Sequence, residues 1–355
     1  MAPGSGAWSP KPQGVSDVTL TTIFLVLLCV ENSASMLARR FVVGIAHQSF
    51  SKNAVLCANE IVKMIFSLVM TSRAHSSNLS RHLTSLIRTS PRMGVPAFVY
   101  LVVNLISYPA LARIDASTFT AISQLKVLAT AFFAMFMLGT KVSGRKWRTL
   151  AMMVAGVTII SLESSPDSKH AHADIISAHE HGDVHVSIWS ELADLDYLLG
   201  VACAATQTLL SGFAAIYFEK VLKAKGSDLN VWDRNIQLAI FSIAIYLPSS
   251  FIETEGNPFA GFTGMVWFVV FLHAAGGILV ALSVLYSNSI TKTVAVCGSL
   301  VLTTVLGKVL FDAPLNGVIL IGCVIVILSI FSYRGDSEVE EKLAKLSSGP
   351  APHET

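Results

Sequence analysis

The sequence predicts an all-α polytopic membrane protein, with about ten transmembrane helices in two inverted five-helix repeats. Three observations predict it. The 355 residues are 53% hydrophobic and only 14% charged, too apolar for a soluble domain of that length. The apolar residues fall in blocks of about 20, the length a helix needs to cross a bilayer core. Lysine and arginine collect in alternate connections between those blocks, as orientation in a membrane requires. The formal net charge of +2 decides nothing by itself. Cys29, Cys57, Cys203, Cys297 and Cys323 all lie in apolar runs and form no CxxC pair. They read as small packing residues, with no disulfide framework.

The chain divides into a disordered cytosolic tail (1–17), a first five-helix repeat (18–162), a His-rich acidic lumenal loop (163–194), a second repeat (195–333) and a cytosolic tail (334–355). The N-terminal stretch is rich in Pro, Gly and Ser and has no apolar core of its own, so the first helix is expected to act as an uncleaved signal. Spans are expected at 18–38, 54–72, 95–114, 117–138, 149–162, 195–221, 236–251, 263–285, 289–310 and 315–333. The fifth is short and extends back to Arg145. The last two are parted only by a turn at Pro314, which stops one helix and allows the next. In the tail, 336–346 suits a short amphipathic helix.

Orientation follows from the positive charges. Arg73, Arg81, Arg88 and Arg92 follow the second span. Lys141, Arg145, Lys146 and Arg148 follow the fourth. Lys223, Lys225 and Arg234 follow the sixth, and Arg334, Lys342 and Lys345 follow the tenth. The opposite connections are poor in positive charge, which puts both termini on the cytosolic side. Arg39, Arg40 and Lys52 break the rule. The fourth and fifth spans faintly echo the ninth and tenth, each pair ending in a helix rich in Gly, Val and Ile. Five helices and five place the halves in opposite orientations, with a substrate site near the midplane.

Polar residues inside a membrane are functional candidates by default. Lys126, preceded by Ser123 and Gln124, lies near the middle of the fourth span, where a lysine costs about 2.5 to 3.5 kcal/mol on insertion scales. Phe119, Ser123 and Lys126 share one helix face; Phe119 is either a packing residue or a platform for a flat ring. Glu31, Asn32, Ser33 and Ser35 lie in the first span. Asn59, Glu60 and Lys63 lie in the second, where Glu60 and Lys63 also suit an ion pair that holds helices together. Asn104 and Tyr108 share a face of the third, and Asn104 also suits a bond between helices. Tyr217, Glu219 and Lys220 end the sixth and Lys292 opens the ninth, where charged side chains also reach for the membrane boundary. Two membrane lysines with an aromatic ring and several amides or hydroxyls suit an anionic ligand with a planar ring, such as a nucleotide. Carboxylates and sugar phosphates meet the same description.

Several segments resemble the nucleotide-sugar transporter family. VENSASMLARRF is similar to its VQNASxxLxxRY segment, and AVLCANEIVKM to its second helix. DASTFTAISQLKVLATA resembles xAATFQVTYQLKILTTA. The segment 211–223, SGFAAIYFEKVLK, with VWDRNIQ after it, resembles SGFAGVYFEKVLK…WVRNIQ, and GGILVALSVLYSNSITK resembles GGLLVAxVVKYADNILK. The matches run in order from the first span to the ninth. The resemblance implies ten helices in two inverted halves and exchange of a cytosolic nucleotide-sugar for a lumenal nucleoside monophosphate. It places Lys126 and Lys292 at the phosphates and Asn104, Phe119 and Tyr217 around the nucleotide, with Ser123, Gln124, Asn32 and Glu60 as further lining candidates.

The chain departs from the family at Ser123, Leu285 and Thr293. Phe119 and Val280–Ala281 resemble UDP-galactose and UDP-N-acetylglucosamine carriers, where CMP-sialic acid carriers have Tyr and a Thr-Ser pair. The expected exchange is therefore UDP-galactose, UDP-N-acetylglucosamine or UDP-N-acetylgalactosamine against UMP, in the Golgi or endoplasmic reticulum membrane, with membrane lipid around the protein. CMP-sialic acid against CMP is the alternative. No cofactor, metal or nucleic acid is expected. A homo-oligomer and association with a glycosyltransferase are compatible with the resemblance. Five of the ten histidines, His170, His172, His179, His181 and His185, lie in the long loop. They admit a zinc-carrier reading, although the HAH and HEH pairs lack a structural site's ligands. A non-transporting scaffold is the other alternative, favoured only by the lysine lost at Leu285. No hydrolase motif is present, so an enzyme is not expected.

Overall fold

The computed structural model describes residues 15–74, 79–164, 195–224, 229–254 and 256–347. The expected N-terminal tail and the histidines of the long loop lie outside them, save that residues 15–17 open the first helix. Among the described residues there are twelve α-helices and no strand. They are α1 (Val15–Arg39), α2 (Lys52–Ala74), α3 (Leu79–Thr89), α4 (Pro91–Leu111), α5 (Ala116–Gln124), α6 (Lys126–Leu138), α7 (Gly144–Glu163), α8 (Leu195–Leu222), α9 (Val231–Glu253), α10 (Gly264–Tyr286), α11 (Ser289–Phe311) and α12 (Gly317–Ser347).

Nine stretches among the described residues are long and apolar enough to cross a membrane: α1, α2, α4, α5 with α6, α8, α9, α10, α11 and the first part of α12. The fifth expected span, α7, is 20 residues long, about 30 Å at 1.5 Å per residue. It falls short only in composition, because Arg145, Lys146 and Arg148 occupy its first turns. The outward faces are apolar: Ile252, Val309 and Phe136 are 82%, 74% and 73% exposed. Such surface suits acyl chains and not water.

Three features depart from the expected pattern. The fourth span is not one helix. At Leu125 the amide bonds to Ile122 O at 3.1 Å, an i→i−3 bond, and this tight turn separates α5 from α6. Secondly, α12 runs on to Ser347 without a break. Residues 334–347 contain no Pro and many strong helix formers, so nothing ends the helix at the membrane boundary. Thirdly, the basic connection after α2 contains α3, whose Leu79, Leu83 and Leu86 recur at helical spacing.

Helices pack largely across the sequence. Numbering the spans in order, with α7 as the fifth, the second packs on the seventh and the fifth on the tenth. The third and fourth pack on the sixth, and the first packs on the eighth and ninth. Exchanging each span n with n+5 leaves this set of pairings unchanged. Between membrane helices, close packing and polar contacts replace the hydrophobic drive. At the α7–α12 crossing Gly156 and Gly322 face each other: a Cβ on either would stand 3.0 Å from the other's carbonyl oxygen. The main core gathers around that crossing, with Met153, Val157 and Ile160 of α7, Ile319, Cys323 and Val326 of α12, and Val127 and Ala131 of α6.

Gly156→Val will therefore lower the melting temperature of the detergent-solubilised protein. Overpacking of this kind costs about 1 to 3 kcal/mol. Gly144→Ala, where nothing lies within 4 Å of an added Cβ, will leave it unchanged.

Candidate functional site

The site is built from the ends and interruptions of helices. Lys126 is the first residue of α6, directly after the turn at Leu125. Lys292 lies in the first turn of α11 and is positioned by that helix's start. Asn288 caps α11 by accepting from Thr291 N at 2.8 Å, and Thr293 Oγ1 donates to Ser289 O at 2.7 Å. Glu219 of α8 braces the same turn. It is 1% exposed, accepts Ser289 N at 2.8 Å on one oxygen and pairs with Lys223 Nζ at 2.8 Å on the other. Lys223 also donates to Ser287 O. Of the two charges at the end of the sixth span, Lys220 is exposed and Glu219 is a buried clamp.

Lys126 and Lys292 line one cavity of about 110 Å³, with Tyr100, Thr130, Ser211 and Thr293 among its other walls. No carboxylate lines it. Among the described residues neither lysine's ammonium group makes an ion pair or a hydrogen bond. Tyr100 also belongs to a second, larger cavity of about 210 Å³, walled by Glu60, Lys63, Asn235, Ser242, Tyr246 and Val280 among others. The two spaces therefore adjoin at Tyr100.

In the larger cavity Glu60 and Lys63 form the ion pair their spacing suggests, at 2.6 Å. Both are buried, and Glu60 Oε2 and Asn235 Nδ2 have no hydrogen-bond partner. Two successive glycines of α10 make room for this pair and its neighbour. A Cβ at Gly277 would stand 3.0 Å from Lys63 Cδ, and one at Gly276 2.5 Å from both oxygens of Glu31. Any other residue there would displace charged side chains of α1 and α2.

The remaining sequence candidates divide. Asn104 lines neither cavity; its Nδ2 donates to Tyr246 Oη at 3.2 Å and so borders the larger one. Asn32 joins α1 to α11 by donating to Ser299 Oγ at 2.5 Å. Gln124 reaches Ser161 Oγ of α7 at 3.4 Å, while Ser123 Oγ is buried without a partner. Phe119 packs with Ala110, Ile114 and Ala204, and Tyr217 packs beside Met93, Phe218 and Val284. Neither ring lines the cavities in this conformation. Leu285, the position of the lost lysine, belongs to the same apolar cluster as Tyr217.

Sequence reasoning missed the joint at the start of α9. Asp233 is fully buried and accepts from Thr71 Oγ1 at 3.1 Å and Asn230 N at 3.0 Å, with His82 of α3 also at 3.0 Å. Gln237 Nε2 donates to Leu86 O at 2.9 Å. The WDRNIQ segment thus docks α3 against the bundle. The only signal in the sequence was an acidic residue three positions after an asparagine, a capping-box spacing. Among the described residues no group of three or more His, Cys, Asp or Glu could hold a metal ion.

A profile of the nucleotide-sugar transporters matches residues 16–334. The chain belongs to the nucleotide-sugar transporter family. This transporter is 32% identical over 333 residues to the UDP-N-acetylglucosamine/UDP-N-acetylgalactosamine transporter nstp-4 of Caenorhabditis elegans, covering 88% of this chain and 93% of that one. It is 29% identical over 368 residues to the UDP-galactose translocator of Mus musculus, covering 99% and 88%. It is 28% identical over 331 residues to the UDP-galactose transporter of Schizosaccharomyces pombe, covering 89% and 88%. A solved crystal structure superposes with a TM-score of 0.58 at 15% identity, over 88% of this chain and 96% of that one, a likeness of fold. The transporter is thus a multi-pass membrane protein and not an enzyme.

Glu60→Gln will leave Lys63 a buried charge without its anion, a loss of about 3 to 5 kcal/mol. Thermal unfolding in detergent will show the single variant well below wild type, and Glu60→Gln with Lys63→Met close to it.

Proposed function

We propose that the protein exchanges a cytosolic UDP-sugar for lumenal UMP by alternating access. The observation that carries this reading is the cavity shared by Lys126 and Lys292. The two lysines come from opposite halves of the chain, meet inside an apolar bundle and have no protein carboxylate lining the space between them. A pair of phosphates meets their charge, and the hydroxyl of Ser211 supplies a donor for a remaining oxygen, while Thr130 and Thr293 spend their protons on the carbonyls of Lys126 and Ser289. The adjoining larger cavity takes the rest of the ligand. Its Glu60–Lys63 pair, Asn235 and Tyr246 suit ring heteroatoms or sugar hydroxyls.

Val280 supports uridine over cytidine. It lines the larger cavity and stands where CMP-sialic acid carriers have a hydroxyl residue. The relatives' names point the same way, since they carry UDP-galactose, UDP-N-acetylglucosamine and UDP-N-acetylgalactosamine. The symmetric pairing of spans supports two halves, 18–162 and 195–333, that rock about the lysine cavity. Phe119 and Tyr217 reach the ligand when that movement draws their rings out of the apolar clusters. The basic connections face the cytosol, and the membrane is that of the Golgi.

Obligatory exchange follows from electrostatics. Two lysines occluded without an anion repel each other in a medium that cannot solvate them. A loaded carrier crosses more easily than an unloaded one.

Thermal-shift measurements on the purified protein will show stabilisation by UMP exceeding that by CMP or GMP, through mass action. Lys126→Ala will cut UDP-galactose/UMP exchange in proteoliposomes roughly 10- to 100-fold, the loss of one charge-assisted phosphate contact of about 1.5 to 3 kcal/mol. Full exchange by that variant, or equal stabilisation by all three nucleotides, contradicts the reading.

A further inference from the structure

With Arg39 and Lys52, Arg40 breaks the charge rule that orients the spans. It opens a short π-helical turn, Arg40–Ile45, at the end of α1. There it lines a cavity of about 140 Å³ with Ser161 of α7, Ser164 just past that helix, and Thr303 and Thr304 of α11. No carboxylate lines this space. Among the described residues Arg40 makes no ion pair. Its guanidinium carbon lies 6.0 Å from the Phe311 ring centroid, and that contact leaves its N–H edges available. Thr303 and Thr304 donate to their own helix carbonyls at 2.8 Å. Ser161 accepts from Gln124 Nε2, so its own proton is free to donate.

The cavity lies along the same face of α11 as the lysine cavity. Lys292, Val296, Leu300 and Thr303 succeed one another at helical spacings of four, four and three, and so share one face of α11. The first two line the lysine cavity and the last two line the Arg40 cavity. From Lys292 to Thr304 is 12 residues, about 18 Å along the helix. Gln124 ties the two places together, being next but one to Lys126 in the chain and bonded to Ser161.

We propose that Arg40, with Ser161 and Ser164, forms a weak docking point for the terminal phosphate monoester of UMP at the lumenal end of the transport path. The inference rests on the exchange reading above. The chemistry separates the two cargoes. A phosphate monoester carries about −1.5 to −2 charges at neutral pH and three acceptor oxygens. A nucleotide-sugar is a diphosphate diester with no such terminus. A guanidinium with hydroxyl donors beside it therefore favours the returning nucleotide over the sugar-bearing one. The docking point is weak because α7 ends there. Its terminal carbonyls and Glu163, which accepts from Asn316 Nδ2 at 2.5 Å, place negative charge nearby. A stage in a transport path needs that weakness, since its ligand must move on.

The test uses sealed microsomal vesicles from cells expressing the full chain, preloaded with graded UMP or graded UDP-galactose, and measures uptake of external UDP-galactose. In Arg40→Gln the internal UMP giving half-maximal uptake will rise about tenfold, the scale of one lost charged hydrogen bond. Half-saturation for external UDP-galactose and for internal UDP-galactose will change less than twofold. Arg40→Lys, which keeps the charge but not the fork, will lie between. An unchanged UMP response in Arg40→Gln, or equal shifts for internal UMP and internal UDP-galactose, overturns the proposal and leaves the exchange reading intact. A wild-type protein indifferent to internal UMP sinks the exchange reading and this site with it. Should Arg40→Gln fail to fold, Ser161→Ala decides, with an expected rise of about threefold for internal UMP alone; no rise overturns the proposal.

Discussion

An ammonium group inside a membrane is tolerated only if something shapes the space around it, and this bundle holds two in one cavity. Lys126 and Lys292 share that space without a protein carboxylate. Like charges in a low-dielectric medium push apart, so the helices that bear them must be held by contacts elsewhere. The turn at Leu125 sets Lys126 at the head of α6. The Glu219 clamp fixes the first turn of α11, and with it Lys292. The tight crossing of Gly156 and Gly322 locks α7 against α12 behind them. Asn32 and Ser33 hold α1 on α11 through Ser299.

Polar residues in the bundle thus serve two purposes, and burial alone does not separate them. Asp233, Glu219 and Asn32 have satisfied partners and join helices. Glu60, Lys63 and Asn235 are also buried, yet Glu60 Oε2 and Asn235 Nδ2 stay unsatisfied beside a cavity. A buried polar atom without a partner carries a standing cost. Beside a cavity, such an atom is left open to a partner that the protein does not supply. The glycine pair of α10 serves both purposes, since it accepts the Glu31 carboxylate on one side and Lys63 on the other.

Much of the architecture was legible in the chain. Hydropathy blocks gave the spans to within a few residues, and the family segments marked Lys126 and Lys292 before any contact was known. The misses have physical reasons. The Leu125 turn contains no Gly or Pro, so no local propensity signals it. α3 is too polar to register as a span, although its leucines recur at helical spacing. Phe119 and Tyr217 lie in segments that resemble the family's, but which way a ring turns depends on the neighbouring helices. Asn104 and Gln124 are similar cases: each sits near the site and spends its side chain on a helix–helix bond.

By itself the sequence determined that the chain lives in a membrane and where its apolar spans lie. Those properties follow from the cost of placing each segment in lipid, and that cost is local. Only the tertiary structure decided which polar residues face one another. Lys126 and Lys292 are more than 160 positions apart, as are Glu31 and Gly276, and Arg40 and Thr303. Whether such a pair forms a joint or a binding wall depends on helix crossings that no single segment encodes.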